Sequence, residues 1–98
     1  MRQVYLIAYD VADDKRRTKV FNKLKGCGDA LQYSLFRCVL TPAQRLILRS
    51  EVWNIINHDQ DRILLIDLGP DDGRGRTVVE EWGKVLEDPA NHDGPLIL

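Results

Sequence analysis

The stretch "ALQYSLFRCVL", residues 30–40, decides the fold. It is rich in β-forming and apolar residues, enough for a strand. Its middle, Gln32 to Phe36, breaks simple alternation. A kink or bulge there would divide it into two strands. What lies on either side determines how those strands are used.

Upstream runs "DDKRRTKVFNKLKGCG", residues 13–28. Asp13 or Asp14 can cap a helix, because a carboxylate accepts first-turn N–H groups and suits the positive dipole end. Arg17, Val20, Phe21 and Leu24 fall at i, i+3, i+4 and i+7. The last three make an apolar stripe that the stem of Arg17 extends. Gly26 and Gly28 are expected to stop the helix. Further upstream, residues 3–10 alternate as a strand, with Val4, Leu6 and Ala8 on one side and Tyr5, Ile7 and Tyr9 on the other.

Downstream, "TPAQ" at 41–44 is a helix start. Thr41 caps, Pro42 takes the first helical position and Gln44 completes a capping box. Helical periodicity then runs to about Asn57. "DRILLIDL", 61–68, is a strand whose continuous apolar run predicts burial on both faces.

The order is strand, helix, one or two strands, helix, strand. It predicts an α+β ferredoxin-like βαββαβ sandwich, an antiparallel sheet with two helices on one face. The other sheet face needs cover, and a second copy packing sheet to sheet is the simplest cover. We place the domain at residues 1–76, ending in the polar loop "GPDDGRGR", and a C-terminal strand or tail at 77–98. Propensity makes "VVEEWGKVLED" helical and broken at Gly83, while "TVVEEW" also reads as extended. Trp53 and Trp82 are expected in the core or at an interface.

Ninety-eight residues with 44% hydrophobic and 30% charged side chains suit one soluble domain. No run approaches the ~18 apolar residues of a membrane span. The opening apolar run is cut by Asp10 and reads as a strand, not a signal peptide, so a cytoplasmic protein is expected. Cys27 and Cys38 lack metal-binding spacing with His58 and His92 and read as reduced structural thiols.

Net charge is −1, but it is polarised. Residues 1–58 hold ten Lys/Arg against five Asp/Glu, and residues 59–98 hold four against ten. Six of the fourteen basic residues lie between Lys15 and Lys25. A basic N-terminal face attracts phosphate despite a near-neutral total.

Asp10 is the sharpest feature. A carboxylate closing a buried strand is costly unless a cation or hydrogen bonds compensate, and a turn or capping role explains it as well as chemistry does. One carboxylate is a poor metal site. Two copies of Asp10 across a twofold axis offer what magnesium needs, one or two carboxylates with waters and phosphate oxygens. Arg16 and Arg17, in the next helix turn, are suited to phosphate, and Lys15 and Lys19 extend the patch.

"YD" closing the first strand, then "DDKRR", "KLKGCG", "LQYSLF" and "DQDRILLIDL", resemble the CRISPR-associated Cas-two family over residues 3–68. The resemblance implies a homodimer bridging two dimers of the Cas-one integrase, a complex that captures double-stranded DNA for spacer acquisition. It also implies metal-dependent endonuclease activity on single-stranded RNA or on DNA in some members. Asp10 would then be the catalytic metal ligand for Mg2+ or Mn2+. Tyr9, Ser34 and Phe36 would line the same region, although both aromatics also suit a core. The family favours an extended 77–82 that adds to the partner's sheet. Arg37 stands where the family often has an acid and strengthens the basic, nucleic-acid-binding surface.

The scaffold role is the favoured reading, with a phosphodiester-cleaving activity left open. A stand-alone toxin-type ribonuclease and a ferredoxin-like small-molecule regulatory domain are the alternatives, since this fold hosts many functions.

Overall fold

The computed structural model describes residues 1–72 together with Glu80 and Trp82. Strand β1 spans Gln3–Asp10, helix α1 Asp14–Lys25, β2 Gly28–Gln32, β3 Leu35–Leu40, helix α2 Pro42–Ile55 and β4 Arg62–Pro70. The four strands form one sheet in the order β2-β3-β1-β4, with antiparallel neighbours throughout. This is the expected ferredoxin-like α+β architecture. The C-terminal strand or tail expected at 77–98 falls almost wholly outside the described residues.

The 30–40 stretch divides as the broken alternation predicts. Tyr33 and Ser34 form the turn of a β2–β3 hairpin, with a register shift between Ala30 and Gln32. Gly28 has a different role from the one expected. It opens β2, and a Cβ there would sit 2.2 Å from the Arg37 carbonyl oxygen. Close approach of two backbones, not helix termination, requires glycine at this position. Gly26 does cap α1, its N–H returning to the Asn22 carbonyl.

Both helix starts follow their local chemistry. The Asp13 side chain accepts from Arg16 N–H at the head of α1. Thr41 and Gln44 exchange both bonds of a capping box, at 3.1 and 2.8 Å, with Pro42 next in line.

The core lies between the helices and one sheet face. Tyr5, Ile7 and Tyr9 of β1 and Phe36, Cys38 and Leu40 of β3 pack on Val20 and Leu24 of α1 and Leu48 and Val52 of α2. Period-two alternation puts Leu6, Ala8 and Asp10 on the opposite face, next to Leu35, Arg37 and Val39. Lys23 and Glu51 pair across the two helices.

Strand β4 corrects one expectation. Its apolar run is not buried on both faces of this chain, because β4 is an edge strand. Leu64 and Ile66 are each 45% exposed on the outer face, and Leu65 is exposed on the helix side. Trp53 is 51% exposed, stacked on His58, so it is not in the core. An open groove of about 430 Å³ separates α2 from β4, with Leu48, Val52 and Leu65 along it and Arg45, Arg49 and Arg62 at its sides.

Candidate metal and nucleic-acid site

Asp10 is the last residue of β1 and is exposed at the end of the outer sheet face. It makes no side-chain hydrogen bond or ion pair to the described residues. Its cross-strand neighbour on β4 is Arg62, the first residue of that strand. The outer face therefore runs from an acid–cation row into an apolar field of Ala8, Leu6, Leu64 and Ile66.

Among the described residues, no group of three or more His, Cys, Asp or Glu side chains could hold a metal ion. At this end of the outer face the described residues present one carboxylate, Asp10. The donor is of the right type for a hard divalent cation, which takes oxygen ligands, but the rest of the shell must come from elsewhere.

The two arginines expected to clamp phosphate are already engaged by acceptors within the chain. Arg16 binds Asp61 through Nε at 2.8 Å and Nη2 at 3.2 Å, and reaches Gln60 Oε1 at 3.2 Å. The Asp61 side chain has no solvent-exposed surface. Its carboxylate also accepts the Ala12 N–H at 3.0 Å and the Asn57 N–H at 2.8 Å. The guanidinium first, then these backbone donors, hold the Asp61 carboxyl far below the usual carboxylate range. The same hydrogen bond pushes Arg16 up. Arg17 donates Nε to the Val11 carbonyl at 3.1 Å and Nη2 to the Ala12 carbonyl at 3.4 Å. Its Nη1 pairs with Asp14 at 2.6 Å. Both arginines stiffen the loop after Asp10, and only Arg17 keeps about half its side chain exposed.

Lys15 and Lys19 are exposed on α1, four residues apart and so on one helix face. Arg37 lies on the outer sheet face opposite Leu6, with Asp29 at 3.8 Å. Tyr9 and Phe36 do not join Asp10. They face the helices, stacked with ring centroids 6.4 Å apart, and Phe21 meets Phe36 edge-on. Tyr9 OH donates to the Tyr33 carbonyl, and burial pushes its pKa up. These rings are core, because strand parity sends residues 9 and 10 to opposite faces. Ser34 is exposed in the hairpin turn, and its carbonyl accepts the Tyr9 N–H at 3.0 Å.

Asp61 and Arg62 are the residues that sequence reading missed. A signal existed: in the expected topology β4 runs antiparallel to β1, so the "DQDR" before β4 must lie beside the end of β1.

The family model for CRISPR associated protein Cas2 matches residues 2–74. This chain belongs to the Cas2 family. The CRISPR-associated endoribonuclease Cas2 1 of Rhodospirillum rubrum is 39% identical over 83 residues, covering 85% of this chain and 80% of the relative. The crystal structure of Streptococcus pyogenes Cas2 at pH 6.5 superposes with TM-score 0.70 and 27% identity, covering 82% of this chain and 99% of that one. A chain of a partial Cas6-RT-Cas1–Cas2 complex matches with TM-score 0.63 and 29% identity, covering 74% of this chain and 82% of that one. No helix among the described residues of this Cas2-family chain is long and apolar enough to cross a membrane.

Proposed function

We propose that this protein acts in CRISPR adaptation as a homodimeric scaffold that binds double-stranded DNA together with the Cas1 integrase. The observation that carries the reading is the outer sheet face. It exposes Leu64 and Ile66 beside Leu6, Ala8, Leu35 and Val39, an apolar surface with no cover among the described residues. Such a surface marks an association site. Family membership, and a structural relative from an assembly named for Cas1 and Cas2, support the choice of partner.

In this reading the sheets of two copies pack face to face and the two Asp10 carboxylates approach across the axis. Lys15, Lys19 and the exposed part of Arg17 grip the duplex backbone, with Arg37 adding positive charge. Arg16 contributes indirectly, by holding the loop. Binding of this kind tolerates any sequence and weakens steeply with salt. Lys15→Ala with Lys19→Ala should weaken duplex binding for every sequence and flatten the salt slope by about 0.9 for each phosphate no longer neutralised. Titration of labelled duplex over a salt series checks this, and unchanged affinity would remove the lysines from the interface.

A second activity is favoured by the endoribonuclease name of the relative and by an Asp10 carboxylate without a partner among the described residues. The Asp10 pair would hold one Mg2+ or Mn2+, which supplies an activated water and charge neutralisation at a phosphodiester. The Asp10 side chains would hold the ion, and the basic residues of α1 would keep phosphate near it. Asp10→Asn should leave the dimer folded and abolish metal-dependent cleavage of RNA or duplex DNA. Equal cutting by parent and variant would disprove the assignment.

A further inference from the structure

The polar groups of the β1–α1 loop are tied down one after another. The Val11 carbonyl accepts from Arg17 Nε, the Ala12 carbonyl from Arg17 Nη2, and the Ala12 N–H donates to Asp61 Oδ1. Asp61 gathers four donors on two oxygens. Oδ1 takes Ala12 N–H and Arg16 Nη2, and Oδ2 takes Arg16 Nε and Asn57 N–H. One shielded carboxylate therefore joins the loop after β1, the first turn of α1 and the turn before β4.

Its place in the chain gives that junction a consequence. Ala12 is two residues beyond Asp10, and Asp61 immediately precedes Arg62. Asp10 and Arg62 are register partners at the open end of the sheet. The Asp61 clamp thus pins both members of that row from behind, on the side away from the outer face. We propose that Asp61 is a positioning residue for the Asp10 site, setting where the Asp10 carboxylate stands relative to Arg62 and to any bound cation. The inference rests on the reading of Asp10 as a metal ligand. Asp61 itself touches no ligand in this arrangement.

The carboxylate is required, not merely a polar side chain. A carboxamide would put an NH2 group where either oxygen now meets two donors, so both orientations force donor against donor. Lysine at position 16 would keep the charge on Asp61 but lose the two-point grip of the guanidinium.

The test uses the full chain and Mn2+, with free ion counted by electron paramagnetic resonance. Support residues behind metal ligands commonly cost 10–100-fold in affinity when changed, so Asp61→Asn should weaken Mn2+ binding by about tenfold or more. Sedimentation should show the same mass as the parent, and exchange of the Ala12 amide hydrogen should accelerate. Arg16→Lys is the second variant, should Asp61→Asn fail to fold. It too should bind Mn2+ more weakly than the parent and exchange Ala12 faster. Parent-like Mn2+ affinity in a folded variant with a freed Ala12 amide would overturn the positioning role. If parent and Asp10→Asn bind Mn2+ equally, the metal-ligand reading falls and this inference with it. Loss only in Asp10→Asn keeps that reading and rejects the role of Asp61.

Discussion

Cys38 has no solvent-exposed surface, and burial pushes its thiol up to about 12 from an ordinary value of 9.0. The native state keeps this proton between those two values while the unfolded chain loses it. Stability should therefore fall as pH rises from about 9 to 12, and Cys38→Ala should flatten that fall in denaturant titrations. Asp61 works in the opposite direction. Its folded carboxyl lies below the unfolded value of 3.8. Its contribution is complete above that value and is lost as pH falls through the folded one, so Asp61→Asn should remove part of the acid limb. Asp10 was legible in the sequence because a carboxylate ending an apolar strand needs an explanation wherever the chain goes. Asp61 was not, because its meaning depends on Ala12 and Arg16, which are 49 and 45 positions away. For the same reason Arg16 reads as an open phosphate clamp, since its acceptors Gln60 and Asp61 lie 44 and 45 positions away. Arg17 differs: its acceptors, Asp14 and the Val11 and Ala12 carbonyls, all lie within six positions.

Elements whose signals are local were readable, and those whose position is set by the sheet were not. The α2 start was written in "TPAQ", and its capping box is present. Thr41→Ala should cost about 1 kcal/mol in thermal or denaturant unfolding, the usual worth of such a cap. The β2–β3 hairpin was visible in the lapse of alternation around Ser34. Gly28 was misread as a helix stop because the carbonyl it accommodates belongs to Arg37, across the hairpin. Gly28→Ala should destabilise the protein far more than Gly26→Ala, whose Cβ would meet nothing nearer than 3.5 Å. The apolar run of β4 suggested burial on both faces, yet β4 is at the edge and Leu64, Leu65 and Ile66 are exposed. The same residues serve burial on both faces only when something outside the chain covers them.

At the scale of the molecule, the open question of the fold is what covers the outer sheet face. Charge adds a second asymmetry, with the basic excess confined to residues 1–58 and the acidic excess to 59–98. If two copies meet through Leu64 and Ile66, the parent should sediment at about 22.6 kDa, twice the chain mass of 11.3 kDa. Leu64→Asp with Ile66→Asp should sediment at the mass of one chain, because it would bury two charges per copy without partners. A dimer alone does not make the site, however; the pairing must also bring the acids together. That is probed directly by cross-linking Asp10→Cys with a short bismaleimide, in a Cys27→Ser background that leaves the shielded Cys38 in place. Pairing across the axis should give rapid, near-complete conversion to a covalent dimer at a concentration where the parent is dimeric. A protein that sediments as a dimer yet stays uncross-linked through position 10 would show that the two acids do not meet.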